Sequence, residues 1–114
     1  MRSLAERARA AARALARLDA AAKNDCLRAM ADGLELGAPA IQAANARDLE
    51  AGQRAGLSAA MLDRLTLTGP RLAEMARGLR EVAALPDPVG TVIREWTRPN
   101  GLRLQKVRVP IGVI

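Results

Sequence analysis

The sequence predicts a mainly α-helical polypeptide, about five helices followed by a β-hairpin, and three observations lead to that class. Apolar residues recur at spacings of three and four up to about residue 85, and after Gly90 the period falls to two. Asp, Ser and Thr stand where helices would begin, with Gly or Pro where they would end. Trp96 is the only aromatic residue, so a core must be built from Ala, Leu, Val, Ile and Met. Small aliphatic cores are made most easily by close-packed helices. The 114 residues suffice for one domain.

Leu4, Ala8, Ala11, Leu15 and Leu18 fall on one face of a first helix, with Arg2, Glu6, Arg9, Arg13 and Arg17 opposite. Asp19 is a good N-cap for a second helix through about Leu36, where Gly37 can take the left-handed stop. Cys26, Leu27, Met30 and Leu34 form its apolar side; Asp25, Arg28, Asp32 and Glu35 form its wet side. Pro39 stands in the first turn of a third helix that runs to about Ala55 and closes at Gly56. Its inward line is Ile41, Asn45 and Leu49, which puts one polar residue among apolar ones.

Ser58 caps a short fourth helix, with Leu57 and Leu62 at the two staple positions. Thr68 caps a fifth that turns Leu72, Met75, Leu79 and Val82 inward and stops at Pro86 and Pro88. TVIREWT and LRLQKVRV are strand-like runs separated by RPNG. A two-residue turn at Asn100-Gly101 would set Glu95 opposite Lys106, a favourable pair, but also Arg98 opposite Arg103. The register therefore stays open.

The formal net charge is +6, carried by the two ends: residues 1–18 and 90–114 are each at +4 and the middle is acidic. Basic ends are compatible with nucleic acid or acidic surfaces, but solvated helix faces carry charge as readily, and one aromatic offers no stacking platform for single strands. One Cys and no His exclude an internal disulfide and a Cys/His metal cluster, and they fit a reducing cytoplasm. No apolar run approaches a membrane span. The Arg-rich start resembles a transit peptide, yet it contains Glu6 and one Ser and runs on into the next helix, so it reads as part of the fold.

The chain ends in VRVPIGVI, a buried-strand pattern with no companion strand. Two strands alone are marginal in water and expose both edges. The expectation is that the partners of this strand are encoded beyond Ile114; a free-standing small protein is the other reading.

GLSAAMLDRLTLTGPRL (56–72), DPVGTV (87–92) and VRVPIGVI (107–114) together resemble the gamma-glutamyl phosphate reductase (glutamate-5-semialdehyde dehydrogenase) family of the aldehyde dehydrogenase superfamily. Lys23-Asn24, Ala31-Asp32, Leu34-Glu35, Ile41, Ala44-Asn45 and Asp48 add to the match. The resemblance implies an α/β, aldehyde dehydrogenase-like parent. Residues 1–89 would be the N-terminal helical part of its cofactor-binding domain, 90–110 the β-hairpin of the oligomerisation region, and 111–114 the start of a core strand. It implies reduction of L-glutamyl 5-phosphate to L-glutamate 5-semialdehyde and phosphate with NADPH, in proline biosynthesis. It also implies a homo-oligomer built through the hairpin, residues 91–109. A relative acting on a different substrate is not separated by this segment.

The chemistry implied by the resemblance needs a cysteine nucleophile, donors for an oxyanion and a cofactor site. Cys26 is the one thiol, but it falls on the apolar side of the second helix beside Met30, where burial makes a thiol inert. The family's nucleophile has no matching position among these residues. There is no G-x-G-x-x-G and no Walker loop. Pro110 and Gly112 read as residues that shape the backbone, and Asn45 and Asp48 as helix side chains bonded to a neighbouring loop. No catalytic, cofactor-binding or metal residue is therefore expected here, and the 114 residues are expected to be inactive alone. The alternative is a basic helical module for nucleic acid or acidic surfaces.

Overall fold

The structure, a computed structural model, describes residues 2–114, with the backbone only at Arg2. Met1 and the Arg2 side chain, which the helical pattern places on the polar face, lie outside the described residues. Five helices precede two strands: α1 (Arg2–Leu15), α2 (Ala20–Leu36), α3 (Ala38–Arg54), α4 (Ala59–Leu65), α5 (Gly69–Ala84), β1 (Val92–Thr97) and β2 (Arg103–Val107). The chain divides into two compact units. Among the described residues one contains 2–23 with 86–114, the other Asn24–Leu85.

Within Asn24–Leu85 the helix boundaries follow local chemistry. The side chain of Ser58 accepts the Met61 N–H at 3.4 Å, and that of Thr68 accepts the Arg71 N–H at 3.3 Å. Each satisfies one of the donors that a helix start leaves free. Pro39 and Pro70 sit in the first turns of α3 and α5, where no donor is needed. Gly56 adopts φ +77 just past α3, and the Leu57 N–H reaches back to the Gly52 carbonyl at 3.0 Å, closing the helix in a Schellman pattern.

Gly37 departs from the sequence reading. It lies at φ −82, ψ −5, in the right-handed region, and serves as the residue before α3 instead of a left-handed stop. Its N–H donates to the Gly33 carbonyl and its carbonyl accepts from Ile41, so α2 hands its hydrogen bonds straight to α3. With Pro39 already shaping the next first turn, no reversal is required at this joint.

The buried apolar residues of this unit are small: Ala31, Ala76 and Ala83, with Leu72 the one large side chain fully enclosed. Gly52 is buried too. A Cβ there would meet Leu57 Cδ1 at 2.9 Å and Leu62 Cδ2 at 3.2 Å, so the two staple leucines close over the glycine. Met30, Met75 and Val82, expected to face inward, remain about half exposed. They belong to an apolar face that these helices do not cover themselves.

In the other unit, Asp19 Oδ1 accepts the Ala22 N–H at 2.8 Å, as an N-cap should. Along α1 the expected apolar line is mostly open: Ala8 is half-buried, whereas Leu4 and Leu15 are exposed.

The hairpin is antiparallel, with Arg94 opposite Lys106, Glu95 opposite Gln105, Trp96 opposite Leu104 and Thr97 opposite Arg103. This register corrects the one drawn from Asn100-Gly101. Arg98 donates to the Leu102 carbonyl at 2.9 Å and accepts from Gly101 at 2.9 Å, so the loop has three residues, Pro99 to Gly101. A type I′ turn at Asn100-Gly101 needs positive φ at both positions, and only Gly101, at +83, has it. Pro99 decides the matter. Its fixed φ suits the second position of a type I turn, and the Asn100 side chain accepts the Leu102 N–H at 3.2 Å to complete the loop. The slip of one residue removes the Arg98–Arg103 repulsion and places Glu95 within 2.6 Å of Arg103.

Candidate functional site

Three constellations of polar or edge groups stand out, and each starts from a simple local need. The first is a carboxylate-and-amine pair. Asp87 precedes Pro88, and its Oδ1 accepts the Val89 N–H at 2.9 Å, fixing the turn before the hairpin. Its Oδ2 accepts from Lys23 Nζ at 2.7 Å. The Lys23 hydrogen bond, followed by that from Val89, holds the Asp87 carboxyl below its ordinary 3.8. The pair borders an open hollow of about 410 Å³ together with Ala16, Pro110, Ile111 and Gly112. Pro110 and Gly112 line the hollow and offer no polar side chain to a ligand. Lys23 already has a partner.

The second constellation is the outer edge of β2. Arg108 donates to the Thr91 carbonyl at 3.0 Å and accepts from Gly90 at 3.0 Å, while Leu102 accepts from Arg98. Antiparallel pairing alternates, so residues 102, 104, 106 and 108 turn their backbone groups toward β1. Those of Arg103, Gln105 and Val107 point outward to an edge with no strand beside it. Arg94 lies over the Trp96 ring at 5.4 Å on one face, and Glu95 with Arg103 and Gln105 occupies the other.

The third surrounds Asn45, which is buried at 6% exposure. Its amide donates to the Leu65 carbonyl at 2.9 Å and its carbonyl oxygen accepts the Leu67 N–H at 2.8 Å. The side chain therefore acts as a piece of backbone for the link between α4 and α5. Arg71 fastens the same link. It donates to the Thr66 carbonyl at 2.8 Å and to the Asp63 carbonyl, and it pairs with the Asp63 carboxylate at 2.9 Å. Asp48 is exposed and takes no part.

Cys26 requires a correction, because the thiol is exposed and not buried on an apolar face. The buried line of α2 runs through Ala31, and Cys26 falls outside it. Lys23, one helical turn before the thiol, is engaged with Asp87. Among the described residues no group of His, Cys, Asp or Glu could hold a metal ion.

Glycine stands at two helix starts, Gly37 before α3 and Gly69 opening α5. Phosphate cradles leave open backbone at a glycine-rich helix start. A Cβ on Gly37, before α3, would instead meet the Gly33 carbonyl oxygen at 2.9 Å. Every buried polar side-chain atom among the described residues already has a hydrogen-bond partner. No helix of the described residues is long and apolar enough to cross a membrane.

Sequence reasoning missed three of these features. The Lys23–Asp87 pair joins residues far apart in the chain, and so does Arg80, which meets Glu35 at 2.6 Å and Asp32 at 2.7 Å. Asp32 and Glu35 lie on the wet side that periodicity assigns to the second helix, but periodicity says nothing about which distant residue meets it. Gly52 carried no signal beyond its place in a helix interior.

No family model matches the chain. Curated relatives do. The chain is 61% identical over its full length to a protein of Geotalea daltonii named gamma-glutamyl phosphate reductase, and covers 27% of it. Proteins of the same name from Moorella thermoacetica and Rhodospirillum rubrum are 61% and 56% identical over 96% and 100% of the chain. These matches cover 26% and 27% of those proteins, so the chain spans about a quarter of the length of its relatives. Two crystal structures superpose with a TM-score of 0.85 each, the gamma-glutamyl phosphate reductases of Thermotoga maritima and Saccharomyces cerevisiae. They are 36% and 34% identical, with 94% and 95% of this chain matched to 26% and 28% of theirs. Sequence and fold agree: over its whole length the chain is similar to a stretch that makes up about a quarter of proteins named gamma-glutamyl phosphate reductase.

Proposed function

We propose that these residues are part of a cytoplasmic oxidoreductase of proline biosynthesis, one that reduces L-glutamyl 5-phosphate to L-glutamate 5-semialdehyde with NADPH and releases phosphate. The observation that carries this reading is the alignment of the whole chain, at 53–61% identity, with proteins named for that reaction. On that basis the 114 residues contribute scaffold and assembly, and the reacting groups come from the rest of the parent. In this reading residues 1–89 belong to the cofactor-binding domain, 90–110 to the oligomerisation region and 111–114 to the beginning of a core strand.

The hairpin is the element with a task of its own. Its outer backbone edge, at Arg103, Gln105 and Val107, suits addition of a strand from a second copy. No observation favours a nucleic-acid partner. Lys23, Arg28, Arg71, Arg77, Arg80 and Arg103 are all engaged with carboxylates.

A chimera tests the reading. These 114 residues would replace the matching stretch of the Thermotoga maritima relative, and the product would be assayed for NADPH formation from glutamate semialdehyde, phosphate and NADP. The expected result is activity that depends on phosphate, with none from the 114 residues alone. A folded chimera with no such activity would overturn it.

A further inference from the structure

The helical unit 24–85 has an apolar groove of about 640 Å³ between α2 and α5. Met30, Gly33 and Leu34 form one wall and Met75, Gly78 and Val82 the other. Each set recurs at helical spacing, so two apolar stripes face a common space. Met30, Met75 and Val82 are 57%, 48% and 53% exposed. Arg80, held by Asp32 and Glu35, closes the polar side of the same pair of helices.

The two glycines add an independent argument. Gly33 and Gly78 are inside helices, have no positive φ, and a Cβ on either would meet nothing within 4 Å. Glycine in a helix interior is unfavourable relative to alanine, and nothing within this chain requires it at these positions. Both open onto the one groove. A missing Cβ is useful where another backbone must come close.

We infer that the groove receives an apolar helix supplied by the remaining three-quarters of the parent polypeptide, packed with its backbone over Gly33 and Gly78. The inference rests on the reading of the chain as part of a longer reductase. Two facts favour a segment of the same polypeptide over a transient partner. The relatives carry about three-quarters of their length outside the matched stretch. The groove wall also has no charged residue, in keeping with the more apolar character of permanent interfaces.

The test uses the chimera described above. Gly33→Ala and Gly78→Ala should each lower its melting temperature by several degrees, because the new methyl meets a packed helix. If the groove is open to water, each change should instead raise it by about 1 °C or more through helix propensity, and the inference fails. Peroxide oxidation of Met30 and Met75, followed by mass spectrometry, gives a second reading. Protection of tenfold or more relative to the urea-unfolded protein is expected, and less overturns the inference. Protection lost on dilution to monomers would assign the groove to a second copy, which also overturns it. An inactive but folded chimera with protected methionines would fault the reductase reading and leave the groove assignment standing.

Discussion

The side chain of Asn45 and the backbone of Leu67 meet at 2.8 Å across 22 residues of sequence, and the same amide holds the Leu65 carbonyl at 2.9 Å. Removing it leaves a donor and an acceptor without partners at a site water does not reach freely. Asn45→Ala should cost about 2–3 kcal/mol of stability. Asn45→Asp keeps the acceptor but turns a carboxylate toward the Leu65 carbonyl, and should cost at least as much at neutral pH. Urea denaturation of the parent-length protein, compared at constant slope, measures both.

Gly56 provides a cleaner backbone test. Its φ is +77, and a Cβ there would touch nothing within 4 Å. Strain is then the only cost. Gly56→Ala should destabilise by about 1–2 kcal/mol, and Gly56→Asn by less. Equal midpoints for alanine and glycine would mean that α3 does not end as described.

Arg80 lowers the titration of Glu35, chiefly through their hydrogen bond, from its ordinary 4.5. A carboxyl lowered in the folded state stabilises the fold above its unfolded value and loses that contribution as pH falls through the lowered one. In Arg80→Gln the Glu35 carboxyl should titrate closer to 4.5 in a carbon-detected NMR experiment, and stability below pH 4 should depend less on pH. Both groups are open to solvent, so the effect belongs to titration more than to overall stability.

Val107→Pro removes an N–H that points away from β1, so the hairpin ladder should survive the change. Association through that edge should weaken by about tenfold or more in sedimentation equilibrium, as expected for loss of a central ladder donor. Lys106→Pro is the control, because it breaks the hairpin itself. If Val107→Pro assembles like the parent, this edge is not the contact.

Much of the helical fold can be read from local chemistry. Asp19, Ser58 and Thr68 cap as their residue types suggest, and Gly56 ends α3 because the turn there needs a left-handed residue. The failures also have physical causes. Gly37 looks like a stop but lies between two helices that continue each other, so its freedom is unused. Asn100-Gly101 looks like a two-residue turn, but Pro99 takes the second position of a longer one and shifts every pair by one. Cys26 looked buried because a four-residue spacing to Met30 suggested a shared inward face, and both prove exposed. Asn45 was legible as a polar residue on an apolar line, whereas its partners at 65 and 67 were not, since only the folded chain brings them near.

The ion pair between Lys23 and Asp87 has an architectural consequence. It ties the first turn of α2 to the turn before the hairpin, so residues 23 and 87 are held at neighbouring points. Residues 24–85 thereby behave as a cassette between two stitched ends. Exchanging such a segment between relatives as a block should keep the seam only if α2, which crosses residue 24, stays continuous.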